Sequence, residues 1–237
     1  GFALMAACVK AVSSYGIPVL EIVAARAAVS LLLSYLDVKR KQISIWGNQH
    51  FLLFSRGAVG AIALVCVYYS VTTLSLADAT VLQYTYPAFT AVLALLFLGE
   101  KIKGATLVCI LLSFIGVIFM VRPELGEDAL IGLPPLSLAA ALAGAFGSAV
   151  AYVLVRKLSQ TEDSSVIIFY FPLIALPASL LMLGSDFVLP GFEALLLLLL
   201  VGIFTQVGQV GLTKAMAAEA AGKASAYAYV QVIFSAI

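Results

Sequence analysis

The sequence predicts an all-α polytopic membrane protein, and composition, segment length and charge all favour that fold class. Hydrophobic residues make up 63% of the 237 residues and charged residues 11%, against about 45–50% and about 25% in soluble domains. The mean hydropathy is +1.13. The apolar residues form runs of about 20, the length at which a helix crosses a bilayer. The net charge of +1 provides no basic surface for a nucleic-acid partner.

Nine apolar segments, separated by short polar breaks, follow one another along the chain. Glycine and proline mark the breaks, as in Gly16-Ile17-Pro18 and Pro190-Gly191. The first and last segments are shorter than a full span, so we expect both ends to be truncated. The segments are 1–14, 18–36, 51–73, 79–98, 104–121, 136–157, 165–184, 193–214 and 223–237.

The placement of basic residues orients these segments in the membrane. Loops after the even-numbered segments carry nine Lys or Arg residues, whereas loops after the odd-numbered segments carry Arg122 alone. Because cytoplasmic loops are enriched in Lys and Arg, we expect the even loops to lie in the cytoplasm. The nine residues are Lys39, Arg40, Lys41, Lys101, Lys103, Arg156, Lys157, Lys214 and Lys223.

A repeat with an offset of about 145 residues relates the two halves of the chain. The pairs are Gly57 with Gly202, Asp78 with Lys223, Thr80 with Ser225, Tyr84 with Tyr229, Phe89 with Phe234 and, at offset 146, Lys10 with Arg156. Because each repeat has an odd number of segments, five, the second enters the membrane from the opposite side, and such inverted repeats bind solutes near the midplane. We expect a first repeat over 1–122, a second over 136–237 and a tenth helix beyond Ile237.

These residues resemble the drug/metabolite transporter superfamily, and within it the EamA-type repeat. The most specific motifs are Leu74-Ser75-Leu76-Ala77-Asp78-Ala79-Thr80, Tyr86-Pro87-Ala88-Phe89 and Gly99-Glu100. The chain is most similar to the solute carrier 35 G-type branch, also labelled acyl-malonyl-condensing-enzyme-like. The resemblance implies ten helices in two inverted five-helix EamA repeats, about nine of them in this chain. It also implies a central cavity lined largely by helices 1, 3, 4, 6, 8 and 9.

The fourth segment carries a polar cluster at its middle, Gln83-Tyr84-Thr85-Tyr86-Pro87. Because unsatisfied polar groups are costly in hydrocarbon, the cluster must face protein or a water-filled cavity. Pro87 removes the helical hydrogen bond to the carbonyl of Gln83. We expect Gln83, Tyr84, Tyr86 and Pro87 to line a solute cavity. The alternative is a packing kink whose tyrosine hydroxyls bond to neighbouring helices.

The second half contributes further candidates for the same cavity. Tyr227, Tyr229 and Gln231 are the counterparts of the cluster, although Val232 replaces the proline there. A second group, Gln206 and Gln209, lies three residues apart on one helix face within the eighth segment. For this pair, a solute site and a structural hydrogen bond between helices both remain open.

Charged residues lie within or beside the spans of the first half. Arg26 is deep in the second segment, where a charge costs about 2.5–3.5 kcal/mol on insertion scales. We therefore expect a buried partner for Arg26, and we extend this to a carboxylate of the solute. Lys10 and Glu21 could pair across the first turn, but we favour side chains that reach the interface.

Two further groups are expected to be structural. Glu100 ends the fourth segment and should pair at the cytoplasmic surface. Glu219 and Lys223 are four residues apart, the spacing of a favourable helical ion pair.

Enzyme chemistry is not expected. His50 is the only histidine, and no phosphate-binding G-x-x-x-x-G-K loop is present, so we predict no catalytic residues, no metal site and no cofactor. The sequence predicts a secondary transporter that moves a small organic metabolite by alternating access. The alternative is a non-transporting membrane scaffold or regulatory subunit. The predicted partners are a small organic solute and the lipid bilayer, with a homodimer left open, in a plasma, bacterial inner or organelle membrane.

Overall fold

The computed structural model describes residues 1–101, 104–121, 134–184 and 186–230, and this part of the chain is helical without a strand. The fold class predicted from the sequence is confirmed, and most helices begin and end within a few residues of the predicted segments. The fourth segment is divided between two helices, and residues 231–237 of the ninth lie outside the described residues. They are α1 (Phe2–Ser13), α2 (Val19–Arg40), α3 (His50–Thr73), α4 (Leu76–Gln83), α5 (Tyr86–Leu98), α6 (Gly104–Val121), α7 (Pro135–Leu158), α8 (Ser164–Leu183), α9 (Phe192–Ala218), α10 (Ala221–Ala226) and a 3-10 turn (Tyr227–Tyr229).

Six stretches of the described residues are long and apolar enough to cross a membrane. They are α2, α3, α7, α8, α9 and the stretch Asp78–Leu98, which contains most of α4 and all of α5. Their lengths of 20 to 27 residues match the thickness of a bilayer. The chain is therefore a multi-pass membrane protein.

The stretch Asp78–Leu98 is broken at its polar middle. α4 ends at Gln83 and α5 begins at Tyr86, with Tyr84 and Thr85 forming the turn. The Thr85 hydroxyl donates to the carbonyl of Leu82 at 2.6 Å. Pro87 lies in the first turn of α5, where a missing N–H removes no helical hydrogen bond. The sequence predicted that Pro87 removes a hydrogen bond within one helix; instead, the proline lies in the first turn of a second helix.

The chain forms two compact units. Unit 1 contains Gly1–Ala58 and Lys157–Ala218, so it holds α1, α2, the start of α3, α8 and α9. Unit 2 contains Val59–Arg156 and Glu219–Tyr229, so it holds the rest of α3, the helices from α4 to α7, α10 and the 3-10 turn.

Small residues allow helices to approach closely in unit 1. α2 packs against α8 and α9, and α1 packs against α9. A Cβ atom added at Gly202 of α9 would lie 2.4 Å from the Cβ of Val29 on α2. Close backbone approach of this kind is typical of helices that pack within membranes.

Unit 2 uses the same device. In α7, a Cβ atom at Gly144 would lie 2.8 Å from Val67 Cγ2, and one at Gly147 would lie 2.9 Å from the Cβ of Ala63. α10 packs on α5, where Gly222 faces Ala91. Gly144 and Gly147 of α7 thus allow close packing between helices.

Candidate functional site

Four tyrosine rings of unit 2 contact one another around the break between α4 and α5. We call Tyr84, Tyr86, Tyr152 and Tyr229 the tyrosine cluster. The rings of Tyr84 and Tyr229 are stacked with their centroids 5.7 Å apart. Tyr86 lies 6.4 Å from Tyr84 and meets Tyr152 edge to face at 5.2 Å. The cluster therefore joins α4, α5, α7 and the 3-10 turn.

The hydroxyl of Tyr229 satisfies a backbone group exposed by the break. It donates a hydrogen bond to the carbonyl oxygen of Tyr84 at 2.8 Å. Since a carbonyl without a partner is costly within a membrane, this bond stabilises the turn between the two helices. The pairing of Tyr84 and Tyr229 joins two positions that the repeat offset related in the sequence.

Tyr152 is a member of the cluster that sequence reasoning missed. It lies on α7, four residues after Ser148, and the Ser148 hydroxyl accepts a hydrogen bond from Gln83 Nε2 at 3.3 Å. Residues four apart share a helix face, so Ser148 and Tyr152 form a polar pair within the apolar middle of α7. That pair was the available signal, because polar groups within a span usually face protein or a cavity.

The other predicted residues of unit 2 lie at the edge of the cluster or away from it. Gln83 reaches α7 through Ser148, and Pro87 is buried in the first turn of α5. The side chain of Tyr227 is 57% exposed. Gln231 lies outside the described residues.

Tyrosine gives the cluster a mixed chemical character. Each ring offers an apolar face and each hydroxyl a polar tip. Tyr86 and Tyr229 are buried, whereas Tyr84 and Tyr152 are half-buried. Such a group can stack on a planar or aliphatic part of a solute while a hydroxyl donates to or accepts from its polar atoms.

Unit 1 contains a different polar group, in which Ser30 and Ser34 of α2 hold Gln206 of α9. The Ser30 hydroxyl donates to Gln206 Oε1 at 2.5 Å, and Gln206 Nε2 donates to the Ser34 hydroxyl at 2.9 Å. We call this arrangement the serine–glutamine bridge. Both serines are buried, and both ends of the amide are engaged. This geometry favours the structural alternative for Gln206.

Gln209, one turn further along α9, differs from Gln206. Its side-chain oxygen is buried and has no hydrogen-bond partner among the described residues. Its backbone carbonyl accepts from the Thr213 hydroxyl at 2.8 Å. The two glutamines therefore have unequal roles despite their common helix face.

Arg26 lies on α2, and its guanidinium contacts a sulfur atom. Nη1 lies 3.9 Å from the Sδ atom of Met5 on α1, and the side chain is half-buried. Within the described part of the chain, no carboxylate forms an ion pair with Arg26. The partner that the structure gives Arg26 is thus a thioether, which is a weak hydrogen-bond acceptor.

Glu21 corrects one expectation. Its side chain is 4% exposed, and Oε2 accepts a hydrogen bond from the backbone N–H of Val188 at 3.0 Å. The expectation that Glu21 reaches the interface is wrong, because a backbone donor replaces water. Lys10 is exposed, as expected.

Glu100 joins three elements of unit 2. Oε1 accepts from Nε of Arg156 at 2.7 Å, and Oε2 accepts from the backbone N–H of Ala221 at the start of α10, also at 2.7 Å. Nearby, Lys223 and Glu219 form the expected pair at 2.9 Å. Both groups are structural, as predicted.

Charged residues also link α2 to the start of α8 in unit 1. The Lys41 ammonium lies 2.8 Å from Asp163 Oδ1 and 3.2 Å from Asp37 Oδ2. Burial alone would raise the pKa of Asp163, but hydrogen bonds from Lys41 and from the backbone N–H of Ser165 lower it overall. Burial would lower the pKa of Lys41, but its hydrogen bonds to Asp163 and Asp37 raise it.

Known proteins resemble this chain over nearly all of its length. A profile of the EamA-like transporter family matches residues 1–122. The Pseudopaline exporter CntI of Pseudomonas aeruginosa is 33% identical over 240 residues, covering 99% of this chain and 81% of the relative. The chain belongs to the EamA-like transporter family. The resemblance inferred from the sequence motifs is confirmed.

Further relatives and a solved structure agree with this family. Solute carrier family 35 member G1 of Mus musculus is 31% identical over 235 residues, covering 94% of this chain and 64% of the relative. A solved crystal structure shares the fold with a TM-score of 0.81 at 16% identity, covering 99% of this chain and 83% of that one. The chain is therefore a membrane transporter, and its relatives support a plasma or bacterial inner membrane.

Proposed function

We propose that the protein is a secondary transporter that moves a small organic solute by alternating access, and that the tyrosine cluster binds this solute. The proposal depends on the break between α4 and α5, where four tyrosine rings surround a turn inside a membrane-spanning stretch. Broken helices near mid-membrane are typical of solute sites in transporters. The aromatic faces favour a solute with a planar or apolar part.

The chemistry of the cluster favours a solute-binding site over a purely structural contact between helices. Stacked and edge-to-face rings are worth about 0.5–1.5 kcal/mol per pair beyond their buried area, and a solute ring or chain can replace such contacts. By contrast, Gln206 is fixed at both ends of its amide by serine hydroxyls. We propose that Gln206 holds α2 against α9 and does not bind solute.

We further propose that the chain comprises two inverted repeats, 1–122 and 136–237. Positions that the repeat offset relates to one another make similar close contacts, which supports two repeats. A Cβ atom at Gly1 would lie 2.6 Å from the backbone nitrogen of Gly208 in unit 1, and one at Gly147 would lie 2.9 Å from Ala63 in unit 2. Offsets of 146 and 145 relate Gly1 to Gly147 and Ala63 to Gly208.

Helix packing supports the same repeat. An offset of 145 places the start of α2 on the start of α8, and the start of α4 on the start of α10. α2 packs against α8, and Tyr84 contacts Tyr229 at the repeat offset of 145 residues. Contacts between equivalent elements are what a two-fold relation between repeats produces.

An efflux measurement tests this function. Liposomes that contain the purified protein are loaded with a defined mixture of amino acids, organic acids and nucleosides, and efflux is followed by mass spectrometry. We expect at least one solute to leave faster than from protein-free liposomes. Tyr84→Leu should reduce that efflux about tenfold or more, since it removes a stacked ring, whereas the exposed Tyr35→Leu should leave it unchanged.

Tyr229→Phe provides a milder variant in case Tyr84→Leu fails to fold. It removes only the hydroxyl that donates to Tyr84, so we expect folded protein with reduced efflux. Equal efflux of every solute from liposomes with and without the protein would contradict transport. Wild-type efflux from a folded Tyr84→Leu variant would contradict the proposed site but not transport, and a change in complex formation alone would favour a scaffold.

A further inference from the structure

Arg26 is a cation within a membrane-spanning helix. It is the eighth residue of α2, which places it about 10 Å along the helix axis from the first residue. A guanidinium remains charged in proteins and carries five N–H donors. A charge at this depth is costly unless it has a partner.

The structure gives this guanidinium a weak partner. Within the described residues, its hydrogen-bond contact is Met5 Sδ at 3.9 Å. A thioether accepts weakly and leaves most of the five donors without an acceptor among the described residues. The side chain is half-buried, so a group from outside the chain can reach it.

The two carboxylates of α2 have stronger partners. Glu21 accepts from the backbone of Val188, and Asp37 pairs with Lys41 and accepts from the Ser165 hydroxyl. Both carboxylates of this helix are thus engaged elsewhere. On α9, Glu193 accepts from the Tyr15 hydroxyl at 2.9 Å, so it too has its own partner.

Arg26 also begins a polar stripe along α2. Ser30 and Ser34 follow at intervals of four residues, so the three side chains share one helix face. Ser30 and Ser34 are both satisfied by Gln206. Arg26, the first position of the stripe, therefore has only a weak thioether acceptor within the described part of the chain.

We propose that Arg26 binds a carboxylate or another anionic group of the transported solute, an inference that rests on the proposed transport function. The planar guanidinium matches a carboxylate with two parallel hydrogen bonds, and such charge-assisted bonds are stronger than neutral ones. The solute is then an organic anion or a zwitterion. An anionic lipid headgroup has the same chemistry, so the test separates these two sources.

Thermal unfolding in lipid nanodiscs tests the proposal with matched probes. Phenylacetate is compared with phenylacetamide, and succinate with succinamide, so that each pair differs in charge but hardly in shape. A ligand that binds the folded state raises the unfolding temperature as its concentration passes its Kd. Nanodiscs of phosphatidylcholine alone and of phosphatidylcholine with phosphatidylglycerol distinguish a solute anion from a lipid headgroup.

We expect at least one acid, but not its amide, to raise the unfolding temperature in both lipids. Arg26→Gln should weaken that binding about 10- to 100-fold, the range for a hydrogen bond to a charged group. Arg40→Gln is the matched control on the same helix, because Arg40 is 80% exposed and pairs with Asp37. Arg26→Lys keeps the charge and should retain a preference for the acid.

Three results would overturn the inference. The first is that no acid stabilises the wild type, and the second is that the amides stabilise it as well as the acids. The third is that a folded Arg26→Gln variant keeps the preference for the acid. If phosphatidylglycerol stabilises the wild type but not Arg26→Gln, and the acids have no effect, then the anion that Arg26 binds belongs to a lipid headgroup. The transport function is tested separately by the efflux measurement. Efflux of uncharged or cationic solutes alone would support transport and contradict the proposal that Arg26 binds an anionic group of the solute.

Discussion

The tyrosine cluster of unit 2 and the serine–glutamine bridge of unit 1 both place polar side chains within apolar helices, yet they satisfy them differently. In the bridge, each polar atom of the Gln206 amide meets a serine hydroxyl. In the cluster, aromatic faces meet one another and the Tyr229 hydroxyl meets a backbone carbonyl at a break. The bridge is a closed hydrogen-bond network, whereas in the cluster we propose that a solute replaces some of the contacts between rings.

This difference separates two meanings of a polar residue in a membrane span. A fully paired amide between two helices stabilises their packing, and it gains nothing from a solute. Rings around a broken helix keep apolar faces and polar tips that a solute can use. Polarity within a span therefore indicates a solute site only after its hydrogen bonds have been assigned.

The largest expected effect comes from the close approach that positions the bridge. Gly202→Leu adds a side chain at a position where even a Cβ atom would lie only 2.4 Å from Val29. Overpacking of this kind costs about 1–3 kcal/mol or more, so we expect little folded protein on size-exclusion chromatography. Gly211→Leu, on the same helix with nothing within 4 Å, should give normal yield. Normal yield from Gly202→Leu would contradict the close packing of α2 and α9.

A somewhat smaller effect is expected from the bridge itself. Gln206→Leu leaves the buried hydroxyls of Ser30 and Ser34 without their amide partner, at a cost of about 1–3 kcal/mol. The thermal unfolding temperature should fall by several degrees. Gln209→Leu removes an oxygen that lacks a partner in the described chain, so its unfolding temperature should stay near the wild-type value. Equal effects at both positions would remove the distinction between them.

The junction at Glu100 tests whether unit 2 has structural support apart from its tyrosines. Glu100→Gln weakens the bonds to Arg156 and to the start of α10, and both ionic side chains are less than a quarter exposed. We expect a cost of about 1–2 kcal/mol in thermal unfolding. Glu219→Gln breaks an ion pair whose partners are 44% and 45% exposed, so its effect should be within about 0–1 kcal/mol. An unchanged Glu100→Gln variant would mean that the tyrosine cluster itself holds this unit together.

The smallest effect concerns pH and the ion pair of Lys41 with Asp163. Because the pKa of Asp163 is lower in the folded protein than its ordinary value of 3.8, its contribution is complete above that ordinary value. The contribution disappears as the pH falls through the folded-state pKa. Unfolding temperatures measured down to acidic pH should therefore fall less in Asp163→Asn than in wild type. Asp186→Asn, an exposed loop variant, is the control, and identical pH profiles for all three proteins would contradict this assignment.

Sequence reasoning located the helices because apolar length and glycine or proline breaks act locally. It identified Tyr84 and Tyr86 as polar residues within a membrane-length stretch, and the offset of 145 residues related Tyr84 to Tyr229, which the structure brings into contact. It did not place the break at Tyr84 and Thr85, because whether a proline kinks one helix or starts another depends on the partners of the surrounding carbonyls.

The remaining features depend on tertiary partners that no local pattern contains. Tyr152 belongs to the cluster through contact with Tyr86 from another helix, and Gln206 and Gln209 look alike in sequence although only one meets two serines. Glu21 lies near a predicted interface, yet the backbone of Val188 satisfies it 167 residues away. Such pairings follow from how helices pack, and spacing along one helix cannot specify them.

We propose that the tyrosine cluster binds solute while the serine–glutamine bridge holds helices together. The most direct test is the rise in unfolding temperature caused by a transported solute, measured for Tyr152→Leu and Gln206→Leu beside the wild type. We predict that Tyr152→Leu lowers the unfolding temperature without solute less than Gln206→Leu does, but loses most of the solute-induced rise. Gln206→Leu should start from a lower temperature and keep the full rise. The reverse pattern, with solute binding lost in Gln206→Leu and retained in Tyr152→Leu, would contradict the account.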